Sequence, residues 1–334
     1  MMFSRASRFG SAMLRRPVMR FPTASVRCMA TTQPAVLDRD MGRNQWYVHL
    51  SRTDGADMAT IRKAISDLRS TCDKTGVNLV LGFGPSLLSD VTSDMPEDFQ
   101  NYETFESMDG SGRKAVGTQE ELLIWVNHDN KDLCWKAIYD ARRTLDGHMK
   151  VARETPTFIY GESLDMTGFI DGTGNPPAEA DVDVAVVPEG KSGAGGSFII
   201  AQRWVHDLTS WEEMPVSDQE QVFGRTKADS TRLETQADFS HLSHVDLRDG
   251  KSGDDAAPKR DEMSRRSTPY AFHDGTVGLY FMGFCKTQAP LRERMQAMYG
   301  MNGEPRDRLT DFSNPASGSF YFAPSVEVLD SLSE

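Results

Sequence analysis

Gln45-Trp-Tyr-Val-His-Leu-Ser-Arg52 alternates apolar and polar side chains as a strand does. Thr60-Ile-Arg-Lys-Ala-Ile-Ser-Asp-Leu-Arg-Ser-Thr-Cys72 follows it with Ile61, Ala64, Ile65 and Leu68 at helical spacing. Further along, Val77 to Phe83 reads as a second strand and Glu121 to Asn127 as a third. Asp132 to Leu145 reads as a helix with Leu133, Ala137, Ile138 and Ala141 on one side, and Val151 to Tyr160 as a fourth strand. The order β-α-β-β-α-β is that of a ferredoxin-like unit. A similar, less regular set comprises Ser197 to Val205, a helical region near Asp218 to Phe223, and His241 to Leu247. Gly278 to Cys285, a helix through Leu291 to Tyr299, and Ser319 to Phe322 complete it. The expected architecture is α+β, with one ferredoxin-like half at 44–170 and another at 171–334. Pro177 to Gly196, rich in Pro, Gly, Ala and Asp, reads as connecting loop, and Gly250 to Asp261 as a polar loop longer than a hairpin needs.

Composition narrows the function classes. A chain of 334 residues with 38% hydrophobic content can bury a large core. Its net charge of −12 argues against nucleic acid as a partner. No apolar run reaches the roughly 18 residues that a membrane span needs. Cys28, Cys72, Cys134 and Cys285 are scattered, with no C-x-x-C pair and no covalent haem-attachment signal. The first 30 residues stand apart. They carry Arg5, Arg8, Arg15, Arg16, Arg20 and Arg27 among several serines, and no acid precedes Asp38. That is the composition of a mitochondrial transit peptide, cut near Arg27 to Ala30; a cytoplasmic protein with a basic arm is the alternative. Removing the six arginines would take the net charge from −12 to −18.

Three segments carry the chemistry. Gly168-Phe-Ile-Asp-Gly-Thr-Gly-Asn-Pro176 sets Asp171 in a run of glycines where backbone alone can surround it. No Lys-Ser/Thr pair follows, and a central acid would repel phosphate, so a phosphate cradle is disfavoured; a tight turn capped by its own Asp is the plain alternative. Ser240-His241-Leu-Ser-His244-Val-Asp-Leu offers two histidines three residues apart. Ser264-Arg265-Arg266-Ser-Thr-Pro-Tyr270 offers paired arginines ahead of Gly278-Leu-Tyr-Phe-Met-Gly-Phe-Cys285.

Taken in that order, and with the closing Gly318-Ser-Phe-Tyr-Phe-Ala-Pro-Ser325, the chain resembles the dye-decolorizing peroxidases, in particular their bacterial-type (B) subgroup, from about Asn44 onward. The resemblance implies a dimeric α+β barrel-like fold with non-covalent haem b held mainly by the C-terminal half. It implies His241 as proximal iron ligand, with His244 as competitor, and Asp171 and Arg265 on the distal side as the groups that move peroxide's proton and stabilise the departing oxygen. Gly172, Thr173 and Ser267 are expected beside the cofactor. Leu279 and Phe281 alternate with Tyr280 and Met282, so one pair should face the haem. Asp307 is the candidate carboxylate behind the ligand's second nitrogen, with Asp311 close by. Arg266 is expected to face away or to clamp a propionate.

The implied activity is reduction of hydrogen peroxide with one-electron oxidation of phenolic or other small organic reductants, in a homo-oligomer. Only nine residues follow Ser325, so an encapsulin-loading tail is not expected. A haem-handling protein with incidental turnover is the competing function, and a haem-free binding module a third. Trp46, Trp125, Trp135, Trp204 and Trp211 are possible electron relays, although core packing explains such residues equally well.

Overall fold

The computed structural model describes residues 30–246 and 262–333. The expected leader up to Met29, Leu247 and the Gly250 to Asp261 loop lie outside the described residues. Strands are β1 (Asn44–Arg52), β2 (Asn78–Phe83), β3 (Phe105–Glu106), β4 (Lys114–Ala115), β5 (Leu122–His128) and β6 (Met149–Phe158). In the second half they are β7 (Ser197–His206), β8 (Ser264–Arg265), β9 (Thr268–Ala271), β10 (Val277–Cys285), β11 (Ser313–Pro315) and β12 (Ser319–Ala323). The helices are α1 (Pro34–Leu37), α2 (Met58–Thr75), α3 (Pro85–Val91), α4 (Lys131–Leu145), α5 (Asp181–Ala185), α6 (Leu208–Glu212), α7 (Val216–Phe223), α8 (His241–Val245), α9 (Ala289–Met298) and α10 (Val326–Asp330).

The first half follows the expected order. Asp57 caps α2 by accepting from the amides of Ala59 and Thr60, and Gly76, with φ of 73°, ends it in the left-handed region. One continuous sheet runs β6-β1-β5-β2-β12-β7-β10-β8. Numbered within its own half, each set of four lies in the order fourth-first-third-second, which is the ferredoxin-like arrangement twice over. In the second half the second-strand position belongs to β8 and β9. His241 to Leu247 does not occupy it: its described part forms the short helix α8, which Ser240 caps by accepting from Ser243 N. The distant β6 and β9 meet where Thr157 Oγ1 and Thr268 Oγ1 lie 2.8 Å apart, so the sheet curls toward a barrel.

Both faces of the sheet's central strands are largely covered, and the two-residue period sorts them. Tyr47, Val80, Leu123, Trp125, Ile199, Ala201, Tyr280, Met282, Phe284 and Tyr321 fill the barrel, where Ala35 and Val36 of α1 plug one end. The alternate residues, among them Val48, Leu81, Ile124, Ile200 and Trp204, face outward under the helices. Gln33 ties the plug down: its side chain accepts from Leu81 N at 2.8 Å and donates to Leu81 O at 2.9 Å.

Within the barrel His49 is 1% exposed, with Nδ1 2.7 Å from Tyr321 Oη and Nε2 2.6 Å from Tyr280 Oη. Burial, reinforced by the charges of Arg153 and Arg203, pushes its pKa down to about 3 from 6.5. The unfolded imidazole therefore binds a proton that the folded one refuses, so this contribution to stability is full above pH 6.5 and is lost as pH falls toward about 3. Urea unfolding across that range should show His49→Leu with a flatter acid slope. The same variant should be less stable at pH 7, because two buried phenols lose partners worth about 1–3 kcal/mol each.

Candidate active site

The outward face of the second half does not pack solidly. Between β7 and β10 on one side and α7, α8 and α9 on the other lies a cavity with about 1310 Å3 of space, part of it open to solvent. Its walls are mostly apolar: Ile200, Trp204, Leu279, Phe281, Leu291 and Met295 line it. Leu279 and Phe281 are thus the pair that faces the cavity, while Tyr280 and Met282 point into the barrel.

Asp171, Arg265 and His241, from three separated segments, line this one cavity. Asp171 ends a tight hairpin: its amide donates to Ser163 O at 2.9 Å, and Leu164 bridges Ile170. Gly172, with φ of 82°, then turns the chain and donates its amide to Asp171 Oδ1 at 2.7 Å. Burial raises the Asp171 pKa above its ordinary 3.8, and the nearby Arg265 charge is the largest opposing influence. Arg265 Nε is buried without a hydrogen-bond partner among the described residues. A buried guanidinium N–H left unpaired is costly in a finished core and suits a site built for an incoming acceptor.

His241 begins α8, with Nδ1 2.7 Å from Asp307 Oδ2. Asp307 is fully buried, and its other oxygen accepts from Leu309 N at 2.9 Å, so the carboxylate is held from two sides. That leaves Nε2 as the imidazole nitrogen free of any hydrogen bond among the described residues. His244 is differently placed: its two ring nitrogens each lie 2.6 Å from a backbone carbonyl, of Ser240 and of Pro305, and it does not line the cavity. Asp311 is engaged by Arg306 at 2.8 Å instead.

Three expected neighbours of the cofactor are not brought to the cavity wall. Ser267 lies outside the lining, its hydroxyl buried without a hydrogen-bond partner among the described residues. Gly172 and Thr173 lie outside it too; the Thr173 hydroxyl sits 2.9 Å from Ser230 Oγ, and the loop returns to the lining at Gly174. The cause is the turn after Asp171, which swings Gly172 and Thr173 outward before Gly174 returns. Arg266 faces away, 1% exposed, donating to Asp38 O at 2.8 Å and to Asp181 Oδ2 at 3.3 Å. Asp181 also accepts from Arg39 and from Ser264, which clamps the strand on either side of Arg265 to the segment that follows the Asp171 loop.

The sequence reads His206 as an internal hydrogen-bonding residue, which it is, but does not reveal the polar chain that it forms with Asp165 and Ser313 on the cavity wall. His206 Nε2 is 3.1 Å from Asp165 Oδ1, and its Nδ1 is 2.8 Å from Ser313 Oγ. Burial pushes the Asp165 carboxyl up, yet His206 and Thr167 outweigh it and hold the pKa below 3.8. The available signals were the alternation of β7, which puts His206 on the same face as Trp204, and the position of Asp165 six residues before Asp171.

The family model described as Dyp-type peroxidase, C-terminal, matches residues 162–328, half of the chain and every cavity segment just described. The chain belongs to the Dyp-type peroxidase family. A dye-decolorizing peroxidase of Rhodococcus erythropolis is 32% identical over 232 residues, covering 68% of this chain and 66% of its own length. Among solved structures, a dye-decolorizing protein from V. cholerae aligns with a TM-score of 0.80 at 28% identity, covering 89% of this chain and 98% of that one. A Rhodococcus jostii DypB variant solved in complex with haem aligns at 0.79 and 26%, covering 87% and 96%. The Rhodococcus relatives are consistent with the bacterial-type subgroup. A Dyp-type peroxidase is an oxidoreductase enzyme. Among the described residues no helix is long and apolar enough to cross a membrane.

Because burial raises the Asp171 pKa, its ionised form costs folding free energy at neutral pH. The relative gain from this group is complete below the unfolded value of 3.8 and is lost as pH rises through the folded value. Asp171→Asn should therefore melt at a higher temperature than the parent at pH 7, and that advantage should vanish below about pH 3.8. Paired melting curves at the two pH values check it.

Proposed function

We propose that this chain is a haem b peroxidase, its cofactor held non-covalently, that reduces hydrogen peroxide and oxidises phenolic or other small organic reductants by one-electron steps. The observation that carries the reading is the convergence of His241, backed by Asp307, with Asp171 and Arg265 on one apolar cavity. The residues suit a porphyrin: wide apolar walls for the ring, a ring nitrogen without a hydrogen bond for the metal, and an unpaired buried guanidinium N–H for a bound oxygen or carboxylate. When bound, haem supplies an iron centre that can deliver two electrons to peroxide and recover them one at a time.

The side chains do the rest. His241 offers Nε2 to the metal while its Nδ1–H donates to Asp307, which fixes the ring's orientation and makes it a stronger donor. Asp171 accepts a proton from one peroxide oxygen and returns it to the other, a transfer worth about 10²–10⁴-fold when the group is well placed. Its raised pKa brings it nearer the operating pH than an ordinary aspartate and so makes it a better shuttle. Arg265 stays charged in a partly buried site, favours the hydroperoxide anion and stabilises charge on the departing oxygen. Leu279 and Phe281 limit water around these groups. A haem carrier would need no acid held at a cost beside an arginine.

Mitochondrial import is proposed from the acid-free, arginine-rich composition of the first 30 residues. N-terminal sequencing of the protein from its native cells would report the mature end, and an intact Met1 would count against import. A homo-oligomer is proposed from family membership; light scattering measures it.

The deciding experiment is the absorption spectrum of haem-loaded protein before and milliseconds after one equivalent of hydrogen peroxide. The Soret band should shift at once; an unmoved band favours a carrier, and no band in protein made with ample haem defeats both readings. His241→Ala should lose the cofactor, whereas Asp171→Asn and Arg265→Leu should keep it and react with peroxide about 10²–10⁴-fold more slowly. The ionised carboxylate disappears as pH falls through its raised pKa. The peroxide rate should therefore decline on the acid side with a midpoint above 3.8, and Asp171→Asn should lose that limb.

A further inference from the structure

Two residues between the acid and the arginine have no chemistry of their own. β8 is the last strand of its sheet path, so the N–H and C=O of Arg265 point away from β10 with no strand to meet them. The Asn175 side chain meets both. Its Oδ1 accepts from Arg265 N at 2.9 Å, and its Nδ2 donates to Arg265 O at 3.1 Å. One amide side chain thus stands in for a neighbouring peptide at the position that carries the guanidinium. Asn175 is equally tied to Asp171, because its own amide donates to Gly172 O at 3.0 Å while Gly172 N holds Asp171 Oδ1 at 2.7 Å.

Gly174 completes the link by having no side chain. A Cβ there would lie 2.8 Å from Arg265 Nη2, closer than real contacts allow. The guanidinium therefore rests over the loop backbone just beyond Asp171. The atom in the way is the free end of a flexible side chain, so an added methyl would move the guanidinium rather than the fold.

We propose that Gly174 and Asn175 are positioning residues that set the spacing between the Asp171 carboxylate and the Arg265 guanidinium. Asn175 acts through the arginine's backbone and Gly174 through the space left for its tip. The inference rests on the reading of Asp171 and Arg265 as the peroxide-handling pair. A displacement of about 1 Å in such a pair can cost about 10²-fold in rate. Asp181, bonded to Ser264 and Arg266 on either side, anchors the strand; Arg266 Nη1 also donates to Arg265 O at 3.0 Å, and Asn175 is the acceptor for the Arg265 N–H.

The test uses Gly174→Ala and Asn175→Ala in the full chain, with two readouts. In haem-loaded protein, stopped-flow mixing with hydrogen peroxide should give a bimolecular rate lowered about 10–100-fold by Gly174→Ala. In an Arg265→Leu background the same change should cost nothing further. In cofactor-free protein, the Asp171 carboxyl should titrate at a higher pH in Gly174→Ala than in the parent. It is followed by carbon-13 NMR and assigned with Asp171→Asn; the rise is expected because the positive charge that lowers its pKa has moved off. An equal loss in the Arg265→Leu background, or an unshifted Asp171 titration, overturns the proposal. If Asn175→Ala does not fold, Gly174→Ala carries the test alone. Should Arg265→Leu and Asp171→Asn themselves leave the peroxide rate intact, the functional reading fails, and the titration still decides whether Gly174 sets the spacing.

Discussion

The register between β7 and β10 is the constraint on which the rest depends. Leu279 stands opposite Trp204 and Phe281 opposite Gln202, while Tyr280 meets Arg203 and Met282 meets Ala201. The first set lines the cavity and the second lies within the barrel. A slip of one residue would exchange them, putting Tyr280 and Met282 into the cavity and emptying the barrel of the phenol that holds His49. Because Tyr280 and Met282 are fully buried in the barrel, the exchange on that side could not be relieved by solvent. A single pairing therefore maintains a packed interior and an open site back to back.

The polar groups divide along the same line. Inside the barrel, both ring nitrogens of His49 are engaged, one by Tyr280 and one by Tyr321. Across the strand the polar groups are held but not satisfied: Asp171 is kept by the backbone of its own loop, Arg265 by Asn175, and His241 by Asp307. Each is fixed at one end and, among the described residues, has unused capacity at the other. This is how a preformed site differs from a core, and the raised pKa of Asp171 and the unpaired Arg265 Nε are its costs. The cluster of buried Asp181, Arg266 and Ser264, joined by the exposed Arg39, bears those costs mechanically by joining the loop and the strand that carry the two groups.

Sequence alone determined the first β-α-β-β-α-β run and the second run apart from its second strand, because helical and strand periods are local properties of the chain, and it determined which loops carry an acid, an imidazole and a guanidinium. It also narrowed the strand face at 279–282 to two alternatives. Tertiary structure decided between those alternatives, placed β8 and β9 where His241 to Leu247 had been grouped, and separated His241 from His244 and Asp307 from Asp311. It moved Ser267, Gly172 and Thr173 off the cavity wall and brought Asp165, His206 and Gly174 to it. The physical reason is range. Periodicity reports which side of its own element a residue takes, whereas a lone pair free for a metal, a backbone N–H at a sheet edge or a Cβ that would collide depends on a partner 66 to 91 positions away in the chain.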